Sequence, residues 1–161
     1  MLAIVNGEII TPHGIKPGDI LVEKGIIEDV ITRGEPVPEK ARTLDASDSY
    51  VLPGLVDLHE HGGSNNNILD PDPDSIVKIK KSLAGFGTTT FLATTLFDTI
   101  SPDQPHIERV VNSLDTNSGG AQIAGIYLEG PFINREKQGM IQDKYIGDYS
   151  DCLWKEVQEA C

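Results

Sequence analysis

Two histidines separated by one residue stand at the end of an apolar stretch, and their spacing suits metal binding. The stretch, Val51 to Gly63, reads VLPGLVDLHEHGG. Side chains at i and i+2 of a β-strand point to the same face, so Asp57, His59 and His61 are predicted to share one face. Imidazole nitrogens brought together in this way bind divalent ions such as Zn²⁺. A surface histidine pair on an ordinary strand is the plainer alternative, but the flanking Pro-Gly and Gly-Gly pairs favour a buried strand that ends in a loop.

A second candidate ligand, Glu129, follows another predicted strand and precedes Gly130 and Pro131. Glycine and proline turn a chain out of a sheet, so the glutamate is predicted to lie at a strand end. A carboxylate held there can complete a metal site begun by the two histidines. A strand-end glutamate that only faces solvent is an alternative that position alone leaves equally open.

The elements that must position these side chains change character near residue 50. The earlier part contains short strands, with hairpin turns predicted at Asn6-Gly7 and Lys24-Gly25. From Val51 onward strands alternate with helices, which indicates a parallel sheet. Further strands are predicted at 88–96 and 121–128. Helix caps are predicted at Asp72, Ser101 and Ser150. Ser101 is predicted to form a capping box with Gln104, with Pro102 at the first helical position.

Several single residues receive the plainest structural interpretation. Lys78, Lys80 and Lys81 are predicted to form a solvated helix end, where cations suit the helix dipole. His106, near the start of the second predicted helix, is predicted to lie on the surface. Trp154 belongs to the apolar stripe of the last helix and is predicted to be a core residue.

Composition narrows the classes of partner and location. The net charge of −12 argues against nucleic acid and anionic membranes, both of which attract basic surfaces. No apolar run approaches the ~18 residues of a membrane span, and the N-terminus lacks the basic flank of a signal peptide. Cys152 and Cys161 are predicted to lie roughly 13 Å apart on one helix, too far for a disulfide. A reducing cytoplasm is the predicted location.

The two candidate metal-binding stretches also resemble those of a known enzyme family. The pattern Pro-Gly-hydrophobic-hydrophobic-Asp-x-His-x-His resembles the first barrel strand of the amidohydrolase superfamily, metal-dependent hydrolases built on a (β/α)8 barrel. Leu-Glu-Gly-Pro-Phe-Ile, which starts at Leu128 and is followed by Gly139, narrows the resemblance to N-acetylglucosamine-6-phosphate deacetylases. The resemblance covers the whole chain in order, including the weaker Gly-Thr-Thr-Thr-Phe run that ends at Phe91.

The resemblance implies an α/β chain in two parts. Residues 1–52 correspond to the N-terminal part of a small β-sandwich domain, and residues 53–161 to the first three βα units of a (β/α)8 (TIM) barrel. A whole barrel needs about 250 residues. The chain is therefore expected to be the N-terminal part of a longer protein, and to be neither active nor a stable monomer by itself.

The resemblance also assigns roles to individual residues. In the family the glutamate matching Glu129 binds a metal, and His59 and His61 can hold a second ion, so one or two divalent ions, expected to be Zn²⁺, are implied. Bound Zn²⁺ lowers the pKa of its water to about 7 and polarises an amide carbonyl. Met140 is the expected substrate contact. No catalytic residue is expected in this portion, because the general-base Asp is expected beyond Cys161.

The implied reaction is hydrolysis of the N-acetyl group of N-acetylglucosamine 6-phosphate to glucosamine 6-phosphate and acetate, by a homodimer when the chain is complete. Asp57 is expected to support the histidines. Family members often have His where this sequence has Ile141, which bears on the substrate contact and the choice of amino sugar. Another amidohydrolase, such as a dihydroorotase or hydantoinase relative, and a non-catalytic metal-binding fragment are the alternatives. Leu-Glu-Gly-Pro disfavours the former, whose members commonly use a bridging lysine.

Overall fold

The computed structural model describes residues 1–101, 103–114 and 119–160. The chain forms two compact units, Met1–Pro53 and Gly54–Cys161. Pro102 and Cys161, on which the helix start and the cysteine separation were predicted, lie outside the described residues. None of the helices among the described residues is long and apolar enough to cross a membrane.

The first unit is a five-stranded sheet in which β1 lies at the centre of the pairing. β1 pairs with β2 and β2 with β3 in antiparallel fashion, whereas β4 and β5 both run parallel to β1. The strands are β1 (Leu2–Thr11), β2 (Gly14–Glu23), β3 (Ile26–Ile31), β4 (Arg42–Asp45) and β5 (Tyr50–Val51).

Only one of the two predicted hairpin turns is a turn. Lys24 and Gly25 connect β2 to β3 with φ values of 51° and 81°, the signs that a type I′ turn requires. The prediction at Asn6-Gly7 is wrong, because β1 runs through both residues with a register shift there. The backbone N–H of Asn6 donates instead to the buried carboxylate of Asp19 at 2.8 Å, so a bulge replaces the turn.

The second unit is built on a three-stranded parallel sheet with β9 between β6 and β10, which confirms the predicted alternation of strands and helices. Among the described residues, three α-helices, two short 3-10 helices (Arg135–Lys137 and Asp143–Tyr145) and a short antiparallel pair accompany it. The elements are β6 (Leu55–Glu60), β7 (Gly62–Gly63), β8 (Asn66–Asn67), α1 (Ser75–Gly85), β9 (Thr88–Thr95), α2 (Pro105–Val111), β10 (Gln122–Leu128) and α3 (Asp151–Ala160).

One face of this sheet is covered and the other is open at β6. Phe91, Ala93 and Ile123 lie in a buried apolar cluster with side chains of α1 and α2. Removing this apolar surface from water stabilises the unit. On β6, in contrast, Val56 and Leu58 keep exposed fractions of 62% and 63%. The strand before the histidines is therefore not buried as predicted, because the described residues place no layer over it.

The predicted starts of the first two helices are displaced, and the third is confirmed. Asp72 does not cap α1, because its carboxylate accepts hydrogen bonds from the backbone N–H of Asp74, which precedes the helix, and from the ammonium of Lys78 within it. The capping box at Ser101 is also wrong, because the Gln104 amide closes the preceding loop and α2 begins after it. Ser150 caps α3, and its hydroxyl accepts from the N–H of the third residue after it at 3.1 Å.

Three side chains differ from their predicted environment. Lys80 is buried, with 2% of its surface exposed, and its ammonium donates to the carbonyl of Ser113 at 3.4 Å. Desolvation lowers the pKa of Lys80. His106 is buried too. Its Nε2 lies 2.6 Å from the carbonyl oxygen of Leu96, the residue that follows β9. Trp154 is 43% exposed and is not a core residue.

Candidate metal centre

The two histidines lie at the C-terminal end of β6, beyond a bulge in its ladder with β9. Asp57 pairs with Phe91 and Glu60 with Ala93, so three steps along β6 match two along β9. The extra residue breaks the strict alternation of side chains. Asp57 therefore takes the helix-covered face with Phe91, and His59 takes the open face. The prediction that Asp57 shares a face with the histidines is wrong for this reason.

Two carboxylates hold the backbone at this bulge. Asp57 Oδ1 accepts a hydrogen bond from the N–H of His59 at 3.0 Å. Glu60 Oε1 accepts one from the N–H of Gly62 at 2.7 Å. Asp57 thus supports the histidines, as expected, but it does so through the backbone and not through an imidazole ring.

Glu129 reaches the same point from the end of β10. Its N–H donates to the carbonyl of Thr95 at 2.9 Å, which extends the β9–β10 ladder by one residue. Its Oε2 lies 3.2 Å from Nε2 of His61 and 3.8 Å from Nε2 of His59. The two Nε2 atoms are 3.0 Å apart. The structure therefore brings together all three residues that were predicted as metal ligands.

These three distances fit a divalent metal ion. With Zn–N and Zn–O bonds of about 2.0–2.1 Å, the ligand atoms of a tetrahedral site lie about 3.4 Å from each other. The observed separations of 3.0, 3.2 and 3.8 Å span that value. Among the described residues, no further His, Cys, Asp or Glu joins this group. The group can hold a metal ion with ligand positions left for water or other groups.

Two of the three residues border a cleft of about 670 Å³. His61 and Glu129 line it together with residues 137–142 of the long loop after β10. Met140, the expected substrate contact, is fully exposed on this loop and lines the same cleft. Ile141, which stands where the family often has His, is half-buried beside it.

The far end of this loop is tied to the loop after β9. Lys144 forms an ion pair with Asp98 at 3.2 Å, and its carbonyl accepts from both the N–H and the hydroxyl of Thr99. Desolvation alone raises the pKa of Asp98, but hydrogen bonds from the backbone of Ile100 and Ser101 and from Lys144 outweigh it, so that the pKa of Asp98 is lowered. The sequence patterns gave no sign of this ion pair, which joins two loops far apart in the chain.

Tyr127 is a second site residue whose contact was not predicted. Its ring lies 4.7 Å from that of His59, measured between centroids, with an interplanar angle of 37°. Strand alternation places Tyr127 on the face of Glu129, two residues further along. That pattern carries no information on the neighbouring strand, so the contact with His59 was not visible in the sequence.

Curated relatives and solved structures carry the name that the sequence motifs suggest. The N-acetylglucosamine-6-phosphate deacetylase of Bacillus subtilis (strain 168) is 30% identical over 152 residues, which cover 90% of this chain and 37% of that protein. The N-acetylgalactosamine-6-phosphate deacetylase of Escherichia coli O157:H7 is 29% identical over 135 residues, which cover 79% and 35%. The chain thus spans little more than a third of the length of these relatives. No protein-family model matches it.

The structural comparison agrees with the sequence comparison. A crystal structure of N-acetylglucosamine-6-phosphate deacetylase from Thermotoga maritima matches with a TM-score of 0.70 and 29% identity, over 96% of this chain and 39% of that one. A D-hydantoinase crystal structure matches with a TM-score of only 0.57 and 22% identity. The D-hydantoinase of Rhizobium radiobacter is 30% identical over 125 residues, which cover 74% of this chain and 24% of that protein. The predicted resemblance is therefore confirmed, since this chain is similar in sequence and fold to N-acetylglucosamine-6-phosphate deacetylases over nearly its whole length.

Proposed function

We propose that this chain supplies the metal-binding part of an enzyme that hydrolyses N-acetylglucosamine 6-phosphate to glucosamine 6-phosphate and acetate. The observation that carries the proposal is the convergence of His59, His61 and Glu129, from two separate strand ends, beside one cleft. The names of the relatives supply the substrate class. The whole activity requires residues that are not among those described.

His59, His61 and Glu129 are proposed to hold one or two divalent ions, with Zn²⁺ favoured by the nitrogen and oxygen donors. When bound, Zn²⁺ acidifies water and polarises a carbonyl group, the two requirements for attack on an amide. Both imidazoles must be neutral to offer Nε2, so each carries its proton on Nδ1. The Glu129 carboxylate contributes the only negative charge of this ligand group, and it faces both rings.

We propose that the general base of the reaction is not among the described residues. Asp57 and Glu60, the acidic residues nearest to the histidines in sequence, accept hydrogen bonds from the backbone N–H groups of His59 and Gly62. The proton transfers that amide hydrolysis needs are therefore proposed to depend on an Asp beyond Cys161, as the family resemblance implies. Met140 is proposed to touch the substrate from the loop that borders the cleft, where its side chain is fully exposed.

The finer architecture is part of the same proposal. Residues 1–52 are proposed to belong to a small β-sandwich domain, and residues 53–161 to supply the first three βα units of a (β/α)8 barrel. The parallel order β6-β9-β10 and the likeness to deacetylase structures support the second assignment. The homodimer and the cytoplasmic location remain predictions from the sequence.

Acetate release by the complete protein tests the proposed function. We expect metal-dependent release from N-acetylglucosamine 6-phosphate, weaker release from the unphosphorylated sugar, and none of the ring opening of a cyclic amide that a hydantoinase catalyses. N-acetylgalactosamine 6-phosphate belongs in the same assay, because the relatives include deacetylases named for each sugar. Cleavage of hydantoin with no acetate from either phosphorylated sugar would favour the hydantoinase alternative.

Matched glutamine variants separate the metal ligand from general effects of charge. Glu129→Gln removes the negative charge from the ligand group, and we expect it to abolish acetate release. Glu136→Gln removes an exposed charge from the same loop, outside the ligand group, and should leave the rate unchanged. Equal rates for the two variants would contradict the assignment of Glu129.

A further inference from the structure

Tyr127 and His59 meet across the central strand of the parallel sheet. Tyr127 lies on β10 and His59 on β6, and β9 separates these two strands by about 9.6 Å, twice the usual strand spacing. The ladder partner of Tyr127 on β9 is Thr94, a short residue that is fully buried. Its small side chain leaves room for the tyrosine and histidine rings to reach each other over β9. Their centroid distance of 4.7 Å lies within the range of attractive aromatic pairs.

The ring of His59 has few other groups to hold it. Its Nε2 faces His61 and Glu129, the other two members of the ligand group. A metal-binding histidine usually donates its second ring N–H to a carboxylate or a backbone carbonyl, which fixes the ring orientation. Among the residues that the structure describes, no hydrogen bond reaches Nδ1 of His59. The two carboxylates nearest in sequence, Asp57 and Glu60, accept instead from the backbone N–H groups of His59 and Gly62.

We infer that Tyr127 is a positioning residue for the metal centre, whose aromatic ring holds the imidazole of His59 with Nε2 directed at Glu129. The contact with the tyrosine ring restricts rotation of the imidazole, the task that a hydrogen-bonding partner usually performs. The hydroxyl group is not required for this role, since the contact is between the two rings. The inference rests on the proposed metal site and adds a residue outside the ligand set.

The Zn²⁺ affinity of the complete protein, measured by competition with a chelator, tests the inference without reference to catalysis. We expect Tyr127→Phe to bind Zn²⁺ within about twofold of the wild type, because the ring remains. Tyr127→Leu should bind about fivefold more weakly, as expected for the loss of one aromatic pair. Tyr50→Leu, which removes an exposed tyrosine from the first unit, is the matched control and should behave as the wild type.

A spectroscopic readout and a second variant complete the test. The visible absorption of the Co²⁺-loaded protein reports ligand geometry, and it should change in Tyr127→Leu but not in Tyr127→Phe. Tyr127→Met replaces Tyr127→Leu if the latter does not fold. Equal affinity and equal spectra for the wild type and the ring-less variant would overturn the positioning role and leave the proposed function intact. A wild-type protein that binds no Zn²⁺ would instead overturn the metal site itself.

Discussion

The ends of β6 and β10 place their ligand atoms at the same point, but different hydrogen bonds fix the backbone at each end. Glu129 continues the part of the β9–β10 ladder that keeps a regular register from Gly125 to Leu128, and a backbone hydrogen bond to Thr95 fixes its position. The histidines lie beyond a bulge, where the ladder with β9 is interrupted between Asp57 and Glu60. There the side chains of these two acidic residues provide the hydrogen bonds that a regular ladder would supply.

This difference indicates which substitutions the centre tolerates. A backbone bond survives most side-chain changes, so the placement of Glu129 should be insensitive to its neighbours. The histidines depend on individual carboxylates and on the ring of Tyr127, so their placement should be sensitive to single substitutions. Substitutions of neighbouring residues are therefore expected to disturb the histidines at the end of β6 and to leave Glu129 at the end of β10 in place.

The largest effect is expected from Glu129 itself. Both imidazoles face its carboxylate, so Glu129→Ala should weaken metal binding by more than about 100-fold, beyond the usual effect of a group outside the ligand set. His59→Ala should lose less, because His61 and Glu129 remain 3.2 Å apart. Metal content by mass spectrometry of the purified complete protein is the measurement. Wild-type metal content in Glu129→Ala would exclude it as a ligand.

Asp57 tests whether side chains hold the histidine end. Asp57→Ala removes the acceptor of the His59 N–H and should weaken Zn²⁺ binding by about tenfold. Asp57→Asn keeps an acceptor oxygen and should restore most of the affinity. Asp148→Ala, at an exposed position on the loop before α3, is the control. If Asp57→Ala binds Zn²⁺ as tightly as the control, the contrast between the two strand ends is wrong.

The open face of β6 predicts a smaller effect on assembly. Val56 and Leu58 are more than half exposed, and exposed apolar edge strands pair with other chains. The isolated 161-residue chain should therefore self-associate, and a Val56→Lys, Leu58→Lys variant should shift it toward the monomer. Sedimentation velocity at several concentrations measures both. A wild-type chain that sediments as a monodisperse monomer would show that this face does not drive association.

The smallest effect is expected at the ion pair between Asp98 and Lys144, which ties the loop after β10 to the loop after β9. Because the pKa of Asp98 is lowered in the folded state, its stabilising contribution is present above the unfolded pKa, near 4, and is lost as the pH falls through the folded value. Asp98→Asn should therefore reduce the loss of unfolding free energy at acid pH. The reduction should be less than about 1 kcal/mol, because Lys144 is partly exposed. Urea unfolding between pH 2 and pH 7 measures it, with Asp103→Asn as control.

Local signals in the chain predicted the elements of the second unit well. β9 and β10 and the cap at Ser150 depend on apolar runs and on residues within one turn of a helix, all of which are visible in a single stretch. The failures follow from longer-range contacts. Asn6-Gly7 has the composition of a hairpin turn, but the carboxylate of Asp19, thirteen residues away, provides a partner for the Asn6 N–H within a continuous strand.

The metal ligands show the same division. The sequence by itself determined which residues serve as candidate ligands, because the pattern of histidines and the Glu-Gly-Pro turn fall at strand ends that short-range alternation and turn residues define. Only the tertiary structure decided that Asp57 turns to the covered face and that Tyr127 meets His59 over β9. Both depend on the register between strands, which is set by backbone pairing of residues far apart in the chain. A pattern within one short stretch of sequence contains no information on that pairing.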